Sequence, residues 1–363
     1  HQESFWLSDI QSSWCLVVPF QSNGLMSFGR DKYRDQLYTE TQSRFLVNIP
    51  RLTGSLSMLG SSIIIYIILK DSKKKLKRLY HRILLAYSCY DVVLSLNLAL
   101  SATVVPKGTP GVWGAQGNWT TCEVSSFVTH FSFASGLYAS FLCLYYMLVL
   151  RYAIREATIA KVEPFVHGVA FCVPLSFAII KEHENIYSPA NINVGWCFVN
   201  SYPMDCTRND DVECTRGENY LGWLILVTAP FYVFFAIVAV SSILTFLKVW
   251  HVDNRASRWT MSSSSQSSTV HETAIQASLY ICAFFLTYIW TGVLSLSFRS
   301  GVQANRRYYF PLVVLSKIFL PLQGFMNFFI YTRPRYVALQ RRHEERSRLD
   351  IVRCVIQGSV VLN

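Results

Sequence analysis

A chain of 363 residues with 52% hydrophobic and only 15% charged residues does not read as an ordinary water-soluble globule. Its 33 Lys and Arg against 22 Asp and Glu give a net charge of +11, but no stacking motif or basic RNA-binding module accompanies that excess, so it gives no ground for nucleic-acid binding. There is no Gly-rich phosphate loop, no His/Cys/Asp metal spacing and no carboxylate pair within the apolar stretches, which leaves enzymatic or cofactor chemistry nothing to stand on.

The first 45 residues are mixed and polar, and the apolar run Trp14 to Phe20 is too short to cross a bilayer. The chain begins at His1, as it would after removal of a signal peptide or after truncation. Seven stretches then have spanning length: 46–69, 82–105, 124–150, 164–181, 220–247, 273–298 and 308–331. About 20 apolar residues cover the hydrocarbon core, with every backbone amide paired inside the helix. The expected fold is therefore an all-α bundle of seven transmembrane helices over 46–331, with an outer segment 1–45 and an inner tail 332–363. Asn48, Pro50 and Arg51 make the outer half of the first stretch polar, so its start is expected at 46 or a few residues later. The fourth stretch is short, bounded by Pro164 and Lys181-Glu182, with Pro174 inside it.

Orientation follows from the loops, because Lys and Arg resist translocation. Segments 70–82, 151–161, 248–258 and 333–353 carry 7, 3, 3 and 7 of them, against 1, 3 and 3 on the opposite side, counting Lys181. The N-terminus is expected outside and the C-terminus inside, with the basic face against anionic lipid. Cys122, at the outer end of the third stretch, and Cys197, within Gly195-Trp196-Cys197-Phe198, then share an oxidising side. A bridge between them would tie the second outer loop over the bundle. Cys206 and Cys214 suit a second, local bridge, which leaves Cys15 as the odd outer thiol. Cys89, Cys143, Cys172 and Cys282 read as small packing residues. Asn118-Trp119-Thr120 is a glycosylation sequon on the outer side.

With seven spans, an outer N-terminus and this cysteine pair on the page, the chain resembles a G-protein-coupled receptor. Arg151-Tyr152 at the inner end of the third span is similar to the Asp/Glu-Arg-Tyr motif of rhodopsin-like receptors, with Leu150 in place of the acid. Asn327-Phe328-Phe329-Ile330-Tyr331 resembles the Asn-Pro-x-x-Tyr switch, with Phe328 in place of the proline. These departures, the segment 83–91 and the Trp196-Cys197 loop are more similar to the cyclic AMP receptor-like and secretin-like groups. The resemblance implies a multi-pass plasma-membrane receptor whose partners are an extracellular ligand, membrane lipid and a heterotrimeric G protein, the last docking around Arg151 and Tyr152.

Ionisable side chains inside a membrane are functional suspects, because an unpartnered charge there costs several kcal/mol. Asp91 lies nine residues past Arg82, about 13 Å deep. With Ser88, Asn97 and Asn327 as possible partners, and with Tyr331, it is expected to form a polar conformational switch. Lys317, His130, Trp196, Tyr288 and Trp290 sketch a pocket for an anionic or polar ligand. The alternatives are that Lys317 snorkels outward and His130 bonds within its own helix. A retinal-binding photoreceptor fits poorly, since Lys317 stands ten residues before Asn327 where an opsin lysine stands six before. A transporter or channel is the rival from another class. In the tail, Pro334 is expected to interrupt the seventh helix, Arg335 to Arg353 to supply an amphipathic helix, and Cys354 to offer a palmitoylation site. Ser262 to Thr269 reads equally as a phosphorylated loop or a flexible linker.

Overall fold

A computed structural model describes residues 38–190, 194–203, 206, 213–218, 222, 232, 233, 235–245, 247, 265–299, 306–343 and 345–357. The chain divides into two compact units, His1–Asp35 and Gln36–Asn363, and the described residues all belong to the second. Cys15, Trp14 to Phe20, Lys248 to Arg258 and Ser262 to Ser264 lie outside the described residues.

Helix α1 runs over Glu40–Lys70, six residues earlier than its apolar stretch suggests. The cause is a capping box: Thr39 Oγ1 accepts from the Gln42 amide at 3.3 Å while the Thr39 amide donates to Gln42 Oε1 at 3.0 Å. Two amides that the helix cannot pair are thereby satisfied. Polar residues of the outer half then bond locally, Asn48 Nδ2 to the Arg44 carbonyl and Arg51 to Asn48 Oδ1. Thr39→Ala is expected to lower stability by about 1 kcal/mol, read as faster amide exchange confined to 40–45; unchanged exchange there would show the cap to be idle.

Helix α2, Leu79–Leu100, continues as a 3-10 turn to Val104. The third span is built from α3, Trp119–Ser132, and α4, Ala134–Leu150, joined at Phe133 by single-turn bonds from Phe133 N to the His130 carbonyl and from Gly136 N to the Phe133 carbonyl. Helix α5, Glu163–His183, starts on Pro164 and tolerates Pro174 internally. It presents Phe165, Phe171 and Ile179 outward, as a lipid-facing helix does. A short antiparallel hairpin follows, β1 Tyr187–Pro189 with β2 Cys197–Val199, in the register Tyr187 to Val199 and Pro189 to Cys197. This hairpin qualifies the all-α expectation: the loop after α5 pairs its own backbone groups by folding back on itself.

Within the fifth expected stretch, α6 covers Phe235–Thr245, shorter than a span, and most of its flanks lie outside the described residues. Helix α7, Ser265–Arg299, starts eight residues before its expected stretch, so Ser265 to Thr269 is helical rather than a linker. The last span comprises α8, Arg306–Phe319, a 3-10 turn at Leu320–Leu322 and α9, Gln323–Arg342. Pro334 does not interrupt α9, contrary to expectation. A proline deprives the helix of one donor, and here Glu272 of α7 holds the helix on both sides of it, at 3.3 Å from Arg333 and 3.7 Å from Arg341. The amphipathic helix lies further along than expected, as α10 over Arg348–Gln357. It buries Ile351 and Val355, one turn apart, and its Gln357 carbonyl accepts from Lys70 Nζ at 2.6 Å.

Among the described residues six helical segments are long and apolar enough to cross a membrane: Glu40–Lys70, Leu79–Val104, Trp119–Leu150, Glu156–His183, Glu272–Leu296 and Tyr309–Arg342. Small residues let α1 approach its neighbours closely. A Cβ on Gly54 would lie 2.7 Å from the Ser95 carbonyl of α2, and one on Gly60 2.9 Å from the Gly324 carbonyl of α9. Hydrophobic association is weak among lipid tails, so this backbone proximity and the polar bonds it permits do much of the holding.

Candidate functional site

The close seam of α1, α2 and α9 brings a carboxylate and hydroxyls together. Asp91 is 1% exposed, and its Oδ2 accepts from Ser61 Oγ at 2.8 Å, Ser57 Oγ at 3.2 Å and Ser95 Oγ at 3.3 Å. Ser57 Oγ also accepts from the Gly324 amide at 2.7 Å. That amide has no partner within its own helix's first turn, so the node also caps α9. The expected partners of Asp91 are replaced. Asn97 instead donates to the Ser125 carbonyl at 2.9 Å and to Thr129 Oγ1 at 2.7 Å, tying α2 to α3. Asn327 sits beside Tyr87. Ser95, one turn past Asp91, was legible from spacing. Ser57 and Ser61 were not, because nothing in the sequence says which helix faces Asp91.

A second chain of bonds crosses the bundle one step away. Tyr288 of α7 donates to Gln323 Oε1 at 2.8 Å, and Gln323 Nε2 donates to the Tyr87 hydroxyl of α2. All three side chains are buried. Gln323 begins α9, next to Gly324, so both sets of bonds meet where the last span breaks.

At one end of the bundle the loop that carries the hairpin folds inward. The loop is anchored by Cys122–Cys197, with Cα atoms 5.4 Å apart, and Cys206–Cys214 closes a smaller ring in the same loop. Gly195 takes φ +85°, and a Cβ there would lie 2.9 Å from Val47 Cγ2, so only glycine lets the loop turn at this spot. The turn delivers Val194 and Trp196 to Lys317. Lys317 Nζ donates to the Val194 carbonyl at 2.8 Å and lies 3.3 Å from the centre of the Trp196 ring. Trp196 Nε1 donates to the Leu98 carbonyl at 3.1 Å, and its ring packs with Leu94, Leu98 and Leu320. Lys317 is fully buried in the bundle and does not snorkel.

No family model matches this sequence, and no curated protein matches it significantly.

Of the five residues expected to share a pocket, Lys317 and Trp196 are in contact and the other three have other partners. His130 is stacked 4.5 Å from Phe198 under the hairpin, with Nδ1 donating to the Ser126 carbonyl at 2.8 Å and Nε2 without a hydrogen-bond partner among the described residues. Trp290 stacks on Phe319, 6.2 Å away. Tyr288 belongs to the Gln323 bridge. The sequence shows depth in the membrane, whereas sharing a pocket requires a common helix face.

At the opposite end from the hairpin, Arg151 Nη1 donates to the Leu244 carbonyl of α6 at 3.2 Å and its guanidinium lies 5.7 Å over the Tyr152 ring. Tyr152 itself is exposed. Arg82 and Glu163 form a charge pair at this end, two bonds of 2.7 Å joining α2 to α5. His167 stands 3.6 Å from Glu163 and accepts or donates at Tyr138, 2.7 Å away. Tyr331 receives Lys75 Nζ at 3.3 Å rather than joining the Asp91 node. Burial, helped by Arg335, holds the Lys75 ammonium below the usual lysine range, with Asp71 acting the other way. Asn118 is exposed and caps α3, accepting the Thr121 amide at 2.9 Å through Oδ1. Among the described residues no cluster of three His, Cys, Asp or Glu side chains is placed to hold a metal ion.

Proposed function

We propose that this chain is a plasma-membrane receptor of seven spans, with 220–247 as the fifth. Its N-terminus lies outside, and it passes binding of an extracellular ligand to a heterotrimeric G protein. One observation carries the reading. A lid tied by Cys122–Cys197 rests on Lys317 of the seventh span, and six residues further along that span breaks into two buried polar junctions, Gln323 with Tyr87 and Tyr288, and Gly324 with Ser57 and Asp91. Displacing the lid alters the support of that span, and buried hydrogen-bonded junctions exchange partners in discrete steps rather than by gradual deformation. Asp91, Asn327 and Tyr331 are the residues of the expected switch, with Gln323, Tyr87 and Tyr288 added to it. Arg151 and Tyr152 lie where the G protein docks, and release of Arg151 from Leu244 accompanies outward motion at that end. In this topology Asn118 is glycosylated outside and α10 lies on the inner leaflet. Enclosure of Asp91 among serines weighs against a transporter or channel, which needs a wetted route across the bilayer.

The test is purification from native membranes under nucleotide depletion. A heterotrimeric G protein should co-elute and be released by a non-hydrolysable GTP analogue. Arg151→Ala should lower nucleotide exchange about tenfold or more, as expected when a charge-assisted bond across an interface is lost. Folded receptor with no G protein under these conditions overturns the reading.

A further inference from the structure

The seat of Trp196 has the features of a binding site for a small molecule. Its walls are Leu94, Leu98 and Leu320, a cation lies under the ring face at 3.3 Å, and a backbone carbonyl accepts the ring N–H at 3.1 Å from one edge. These are three different contacts, each suited to one property of an indole: its apolar area, its electron-rich face and its single donor. The group that meets them arrives on a loop rather than on a helix. The loop is held at Cys197, the next residue, and turns at Gly195. The anchor is therefore the adjacent residue on one side, and a left-handed glycine provides the bend on the other.

We propose that this seat is a ligand site for planar aromatic heterocycles bearing an N–H donor, of indole size, and that Trp196 is the internal occupant that such a ligand displaces. The ligand stacks on Lys317, donates to the Leu98 carbonyl and leaves Trp196 to swing out with its loop while the disulfide keeps the loop nearby. This deepens the receptor reading by naming the ligand class, and it rests on that reading for the resulting signal but not for the binding.

Emptying the seat tests it. Trp196→Ala removes the occupant and leaves the walls, cation and carbonyl, as large-to-small changes in apolar sites leave cavities that bind matching small molecules. The measurement is the apparent unfolding temperature of purified protein titrated with indole. Trp196→Ala should show a rise that grows with the logarithm of indole concentration and reaches about 3–5 °C at roughly tenfold the dissociation constant. Wild type, its seat filled, should show a much smaller rise at the same concentrations. Indene, of the same size without the N–H, should bind Trp196→Ala several-fold more weakly than indole, and adding Lys317→Met should raise the indole dissociation constant about fivefold. No rise in Trp196→Ala, an equal rise in wild type, or equal binding of indene overturns the proposal. If Trp196→Ala does not accumulate, indole supplied during expression should restore its yield, and failure to restore it overturns the proposal equally. None of these readouts contains a G protein. Failed rescue removes the ligand site while leaving the receptor reading, and failed G-protein capture does the reverse.

Discussion

Gly324→Ala is expected to destabilise the folded protein more than any other single methyl group added at a described glycine of the bundle. A Cβ at this position would collide with Asp91 Oδ2 and Ser61 Oγ and approach Ser57 Oγ to 2.8 Å. No rotamer relieves this, because the methyl is fixed to the backbone and the three oxygens already bond to one another. Either α9 moves away from α1 and α2, or the carboxylate loses its donors. Overpacking costs roughly 1–3 kcal/mol, and each buried group left unsatisfied adds about 1–3 kcal/mol, so a loss of about 3 kcal/mol or more is expected. Gly168→Ala is the control, since nothing lies within 4 Å of a Cβ there. In a helix interior that change is worth up to about 1 kcal/mol in the stabilising direction. Equal unfolding temperatures for the two variants would refute the close seam.

Cys197→Ser is expected to be the second large effect. Cys122 and Cys197 are separated by 75 residues, Cys206 and Cys214 by 8. Loop-closure entropy assigns about 4.5 kcal/mol to the longer ring and about 2.5 to the shorter. The helices stay inserted when the bundle loosens, so both are upper values, but the order holds. Paired Cys122→Ser/Cys197→Ser should melt as low as either single change, and Cys206→Ser/Cys214→Ser should melt several degrees higher. Cys197→Ser should also free the lid, read as increased exposure of Trp196 to an aqueous fluorescence quencher. A lid that stays protected would show that Lys317 and Leu98 hold Trp196 without the disulfide.

Much of the fold is legible in the sequence because a bilayer imposes a simple rule on any helix that crosses it. The second, third and fourth stretches were placed within a few residues, since apolar length alone sets them. The first was placed late because polar residues at 40–51 mask a helix whose capping box, Thr39 with Gln42, was present in the sequence as a start signal. The seventh was cut short at Pro334, where rule-based reading ends a helix and Glu272 instead supports it from another one.

The candidate site was legible in its chemistry and not in its pairings. Asp91, Lys317 and His130 stand out in sequence because ionisable groups are costly in hydrocarbon. Asp91 was assigned Ser88, Asn97 and Asn327, and it has Ser57, Ser61 and Ser95. Gln323 and Tyr87, ordinary residues in a sequence, link two helices.

What the sequence by itself determined is six of the seven expected helical stretches, the charge asymmetry of the loops and the cysteines that pair, because each depends on local composition. Tertiary structure alone decided which faces meet. Helix rotation follows from how closely Gly54, Gly60 and Gly324 let backbones approach. That approach selects the partner of every buried polar group, and a φ of +85° at Gly195 turns a loop residue, Trp196, into the lining of the bundle.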